Sequence, residues 1–311
     1  MKKLFHILTA MAAIAAVSSC EIEFDVDVKD REPRMYVQCF PGPCDSTSLM
    51  IKKCVPVGVP KSDGADFTIK KMVLTQNGTP LNMIMGADQT QWYTWDKIIP
   101  GAALEFVLET EEVETVKATS NIPVVPNFTV ERDIIRTGET MGEDYIQFTL
   151  SFDDTVTENT KLAVAIWRVD NYIYDYIDEE TGETYQVEGT YEYGSRPTTV
   201  QHESSIMGAI NDAFKIVFLR YRTDGASSAL IQGKDLTKDR KFVVATPYEE
   251  EDEYSIVVFA LSDAYYGYLY SDYQKDNNYL AILGLAPSSF AYTNIAGGFG
   301  ALGGYSAVEL K

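Results

Sequence analysis

Two histidines, His6 and His202, are the only imidazoles in the 311 residues. A Ser-His-Asp system needs a histidine base beside its nucleophile. His6 falls inside an apolar leader, and no Gly-x-Ser-x-Gly turn is present to present a serine to His202. His202 therefore reads as a loop residue, and no catalytic residue is assigned. Carboxylates are plentiful, with 46 Asp and Glu, and two of them flanking a sugar bond could perform glycoside hydrolysis. At that abundance pairs arise by coincidence, so a carboxylate-dependent hydrolase stands only as an alternative. Asp153-Asp154, Asp178-Glu179-Glu180 and the run Glu249 to Glu253 supply oxygen ligands of the kind calcium takes. None has the Asp-x-[Asp/Asn]-x-[Asp/Asn]-Gly spacing, and they read as solvated turns. The absence of Cys-x-x-Cys argues against zinc. The glycines of "NIAGGFGALGGYS", residues 294–306, lack the Gly-Lys-Ser/Thr of a phosphate loop. They read as positions of positive φ and close backbone packing. No metal and no cofactor is expected.

Tyrosine is the over-used residue, with 20 copies concentrated in the second half. In "NYIYDYIDEETGETYQVEGTYEYG", residues 171–194, Glu180-Thr181-Gly182-Glu183 reads as the tip of a long hairpin. Tyr172, Tyr174 and Tyr176 fall at period two on one arm, and Tyr191 and Tyr193 on the return, so each set lines one face. Tyrosine gives large contact area with a polar tip. This acid-rimmed face is the candidate binding surface, for a protein partner, sugar rings or a cationic peptide. The other reading is a sheet face packed on its own domain, against the tyrosines near 265–273.

The start of the chain sets the compartment. Lys2 and Lys3 precede 14 mostly apolar residues, Leu4 to Val17, and then Ser18-Ser19-Cys20. That is the order of a secretory signal, and the apolar part is short of the roughly 20 residues that span a bilayer. Val-Ser-Ser-Cys resembles the bacterial lipobox, which makes residues 1–19 a signal peptide and Cys20 the lipid-bearing first residue. Acyl chains add about 0.8 kcal/mol per buried methylene. Glu21, Glu23 and Asp25 resemble the acidic export signal of Bacteroidetes surface lipoproteins, with a solvated tether as the plainer reading; residues 20–33 form the leash. Loss of Lys2 and Lys3 takes the net charge from −20 to −22. Such a chain repels nucleic acid phosphates and anionic lipid. Cys39, Cys44 and Cys54 remain, an odd number outside the cytosol. Cys39 and Cys44 flank Phe40-Pro41-Gly42-Pro43 and form the candidate disulfide, while Cys44–Cys54 and Cys39–Cys54 stay open.

Alternation at period two predicts a mostly β protein. It is clearest in 145–152 and 104–108, and Asn77-Gly78 marks a two-residue hairpin between 71–76 and 80–85. Further strands are expected at 35–40, 47–54, 91–95, 115–121, 128–136, 161–177, 184–193, 213–222, 241–247 and 254–261. Pro123-Val124-Val125-Pro126 follows about seven short strands, a number that fits an immunoglobulin-like β-sandwich over 34–125. A larger β-rich domain with one short helix is expected over 126–311. That helix begins at Ser262, has Asp263 in its first turn, and stops at Asn277-Asn278.

The chain resembles the domain-of-unknown-function 4249 family of Bacteroidetes lipoproteins over nearly its whole mature length. The carriers are Tyr292 to Tyr305, similar to a Ser-Asn-Ile-x-Gly-Gly-x-Gly-Ile-Phe-Gly-Gly-Tyr close, the helix "SDAYYGYLYS", "PRMYVQCF" with "SLMIKKCVPV", and "ATSNIPVVP". The cysteines of the first hairpin and the tyrosine-rich segment 169–199 depart from that pattern. The resemblance implies an outer-membrane lipoprotein facing the cell exterior, often encoded beside TonB-dependent transporters, without established enzymatic activity. The expectation is a non-enzymatic accessory for ligand capture or partner binding, whose partners are a TonB-dependent transporter or other surface lipoproteins. A structural or adhesive surface module is the alternative.

Overall fold

The computed structural model describes residues 32–44, 46–55, 66–136, 144–178, 181–198, 215–220, 225–277 and 291–311. Cys20, Glu21, Glu23, Asp25 and His202 lie outside them. The strands of the first part are β1 (Arg34–Cys39), β2 (Thr47–Cys54), β3 (Ile69–Gln76), β4 (Thr79–Pro80), β5 (Ile84–Met85), β6 (Gln91–Thr94), β7 (Ala103–Thr110) and β8 (Val116–Asn121). Then come β9 (Phe128–Ile135), β10 (Tyr145–Phe152), β11 (Lys161–Ile177), β12 (Thr184–Ser195), β13 (Lys215–Arg220), β14 (Gly225–Gln232), β15 (Lys241–Pro247) and β16 (Glu253–Leu261). Helix α1 (Asp263–Asp276), β17 (Gly298–Leu302) and β18 (Tyr305–Leu310) close the chain. The protein is mostly β with one α-helix among the described residues.

The first part carries two sheets over one apolar core. One sheet runs β17-β1-β2-β6-β5 and the other β4-β3-β7-β8. Alternation turns Met35, Val37, Leu49 and Ile51 of the first toward Leu74, Leu104, Phe106 and Leu108 of the second. Asn77 and Gly78 both take positive φ, as a tight primed turn demands. The return strand is only Thr79–Pro80, after which Ile84–Met85 joins the other sheet. The first sheet is completed from the far end of the chain: β17 pairs in parallel with β1, Met35 opposite Gly298 through Cys39 opposite Leu302. The described strands of the first part thus share a core with Ile295 and Leu302, and β1 shares its sheet with β17.

The second part is layered. A central sheet, β13-β14-β11-β16-β18, is covered on one face by the sheet β15-β10-β9 and on the other by α1. Strands buried on both faces read as continuous apolar runs, and β16 is buried at every position after Glu253. Helix α1 starts where the Ser262 hydroxyl accepts from the Tyr265 amide at 3.2 Å, and it ends at Asn277. It lays Ala264, Tyr265, Tyr266 and Leu269 on the central sheet.

Cys39, Cys44 and Cys54 are free thiols in this structure. Cys39 points into the first core, whereas Cys44 lies against the helix-side core, its Sγ 2.8 Å from the Tyr305 hydroxyl. The Tyr305 ring closes the loop from outside, so near Gly42 that a Cβ there would sit 2.1 Å from it.

Candidate functional site

The candidate face is built by β11 and β12. The register sets Arg168 opposite Tyr193, Asp170 opposite Tyr191, Tyr172 opposite Gly189, Tyr174 opposite Val187 and Tyr176 opposite Tyr185. Directly opposed residues share a face of an antiparallel pair. The hairpin therefore places Tyr174, Tyr176, Tyr191 and Tyr193 on one face, with Tyr172 in register opposite Gly189, and adds Tyr185, which the period-two count on the return arm passes over. Asp178 caps the tip, its Oδ1 accepting from the Thr181 amide at 3.1 Å, and Gly182 takes φ of +70°. The other face carries Val169, Asn171, Ile173, Asp175 and Ile177 opposite Glu192, Thr190, Glu188, Gln186 and Thr184.

The root of the hairpin lies within the protein and its outer half stands clear. β11 is flanked by β14 and β16 through Ala165 and Val169, with Trp167 buried. Beyond Val169 the described pairing is with β12 alone, a ribbon eight residues long, about 27 Å at 3.4 Å per residue. Ile173 and Ile177 on one face are 65% and 61% exposed, and Tyr191 on the other is 59% exposed. Tyr174, Tyr176 and Tyr185 are exposed as well. The face is not a cover for the tyrosine helix, whose Tyr265 ring instead stacks on Phe40 at 4.2 Å and touches Tyr305.

An ion pair fastens the ribbon at its root. Arg168 bonds to Asp252, whose side chain is 4% exposed, and the guanidinium lies 5.7 Å from the Tyr193 ring centre. Burial raises the Tyr193 phenol pKa, helped by the neighbouring charges of Asp252, Asp170 and Glu249. Tyr191 stacks on Tyr193 at 5.6 Å. Sequence reasoning treats Glu249 to Glu253 as one solvated acidic turn. Nothing local distinguishes Asp252, whose partner is 84 residues away.

A second feature, a trough between α1 and the outer face of the first sheet, has no counterpart in the sequence reading. A hollow of about 480 Å³ is walled by Phe40, Met50, Tyr265, Tyr268 and Tyr305 with Gln38 beside them. Another, of about 380 Å³, adjoins it across Tyr268 and Asp272 and includes Tyr36, Tyr292 and Phe299. Tyr36 donates to Gln38 Oε1 at 2.9 Å. Burial holds the Tyr36 phenol protonated far above its usual range, and its hydrogen bond with Tyr268 acts in the same direction. Volumes and linings of this kind suit small ligands.

Asp153 serves local structure. It accepts from the Thr155 hydroxyl and amide and from Asn127, which lower its carboxyl pKa, Thr155 first. The C-terminal glycines do what positive φ and close packing imply. Gly300, at φ +95°, has room for no Cβ, which would sit 2.0 Å from the Val37 carbonyl oxygen. Asn294 clamps the same stretch: its side chain accepts from the Leu302 amide at 3.0 Å and donates to the Leu302 carbonyl at 2.9 Å.

No protein-family model matches the chain, and no curated protein matches it.

Proposed function

We propose that the protein is a non-enzymatic lipoprotein, held in the outer membrane through lipid on Cys20 and facing the cell exterior. In this reading it works beside a TonB-dependent nutrient transporter and engages its partner through the ribbon of β11 and β12. The lipobox-like Val-Ser-Ser-Cys supports the anchor. The acids Glu21, Glu23 and Asp25 support export, the family resemblance supports the setting, and the short strands in two sheets over one core support the immunoglobulin-like character of the first part. The observation that carries the binding role is exposure: apolar and aromatic side chains stand out on both faces of a two-stranded ribbon. Large apolar and aromatic side chains left exposed close together mark interaction sites. The trough favours capture of a small ligand as a second activity of the same accessory.

The hydrolase alternative calls for a carboxyl group with a raised pKa in a cleft. Asp88, Glu112 and Asp153 are displaced the other way, by hydrogen bonds from Thr90, Thr68 and Thr155 respectively. The deciding experiment is an affinity pull-down of the lipid-anchored protein from gently solubilised outer membranes, read by mass spectrometry. Stoichiometric recovery of a TonB-dependent transporter is expected. Recovery of the protein alone, or only with copies of itself, overturns the accessory role and favours the structural or adhesive module.

A further inference from the structure

We propose that the ribbon docks a lysine- and arginine-rich segment of its partner protein, an inference that rests on the reading of the ribbon as the partner-binding element. Between Val169 and Ser195 the sequence holds eight acids, Asp170, Asp175, Asp178, Glu179, Glu180, Glu183, Glu188 and Glu192, and no lysine or arginine. The acids with described register sit among the rings and aliphatic side chains rather than apart from them. Asp170 lies opposite Tyr191, and Asp175 and Glu188 share the other face with Ile173 and Ile177. Anionic ligands are repelled from such a surface, and a neutral one gains nothing from its charge.

The molecule already shows the recognition unit once, at the root of the same hairpin. There the Arg168 guanidinium pairs with Asp252 and lies over the Tyr193 ring. Carboxylate on one side and tyrosine face on the other is the environment that guanidinium prefers. Asp170 beside Tyr191, one step outward on the same face, presents the same two chemistries with the ring exposed. A partner's arginines placed along the ribbon would repeat the root's arrangement.

The test uses full-length protein in detergent and a fluorescein-labelled Arg/Lys-rich peptide, with an Asp/Glu-rich peptide of equal length as control, read by fluorescence anisotropy. The basic peptide is expected to bind and the acidic one not. Replacing Asp170→Asn, Asp175→Asn and Glu188→Gln together should weaken binding about tenfold, as should raising salt from about 0.1 to 0.5 M, because screening shortens the reach of each charge. Tyr191→Ser, an independent single change at an exposed position, should weaken it about threefold through lost ring contact. Equal binding by the neutralised ribbon would show only general attraction to an acidic protein and overturns the proposal, as does no binding of the basic peptide. The two readings separate in the pull-down. A transporter recovered undiminished by the neutralised variant in high salt leaves the accessory role standing and removes the basic partner. Peptide binding without any transporter does the reverse.

Discussion

Ending the chain at Asn294 tests whether the two parts close each other. The cut removes Ile295, Leu302 and Tyr305, which are 4%, 0% and 3% exposed. Full burial of a side chain of this size contributes about 1.5 to 3 kcal/mol, so the three account for about 5 to 9 kcal/mol. An unfolded chain that is already partly compact reduces this by up to about 40%, to roughly 3 to 5 kcal/mol. The backbone pairing of β17 with β1 and of β18 with β16 is lost in addition. Whole proteins are stable by only about 5 to 15 kcal/mol, so the truncated chain is expected to be largely unfolded near 37 °C. The loss is also shared, because Ile295 and Leu302 belong to the first core and Tyr305 to the helix-side core. Urea unfolding by near-ultraviolet circular dichroism gives the total, and amide exchange gives its distribution. Protection at Val37 and Leu49 should fall together with protection at Val257 and Phe259. A truncated chain that melts within a few degrees of the full one refutes the reasoning, as does protection lost only in the second part.

Arg168→Met leaves the Asp252 carboxylate buried without its partner, which costs about 3 kcal/mol or more and should lower Tm by about 6 to 12 °C in a thermal scan. Adding Asp252→Leu should restore most of the loss, and an equal drop in single and double variants would count against a buried pair. Burial pushes the Cys39 thiol from 9.0 up to about 12. The unfolded thiol ionises first as pH rises, so this contribution is complete below about pH 9 and declines toward pH 12. Iodoacetamide at pH 8 should label Cys44 in the native protein well before Cys39, and labelling at similar rates would refute the placement. Cys20→Ala should move the protein from the membrane fraction to the soluble one, and continued retention would refute the lipid anchor.

What the sequence makes legible here is local periodicity. Tyr145–Phe152 and Lys161–Ile177 have the strand bounds that alternation and apolar runs predict, and Ser262 and Asn277 bound the helix as their capping chemistry requires. β14 escapes because Gly-Ala-Ser-Ser-Ala offers small residues without a two-fold pattern. β17 escapes because Gly298 and Gly300 read as a loop, although its place beside β1 demands them: a Cβ at Gly300 would meet the Val37 carbonyl. That demand comes from a strand more than 260 residues earlier and leaves no trace in the neighbouring residues. Asp252 is hidden for the same reason, one acid among five with a partner on another strand. The trough is the extreme case, since it exists only where α1 meets the outer face of the first sheet.

The tyrosines divide into two populations that composition does not separate but neighbouring residues do. Leu162 to Trp167 is apolar without interruption, as a strand covered on both faces must be, and all six are buried. From Asp170 the same strand changes grammar, placing an acid or amide among Tyr and Ile so that neither face is continuously apolar. A strand with that grammar cannot be covered by its own core on either side without burying Asp170, Asp175 or Asn171, a cost no described pairing offsets. The sheet therefore ends at Val169, where β16 ends, and the strand continues as a ribbon. Tyr265 and Tyr266, set beside Ala264 and Leu269 in the first half of α1, go into the core, while Asp272, farther along the face that carries Tyr265, is exposed at the trough. The rings of the ribbon stay outside because the acids beside them prevent the protein from covering them with its own core.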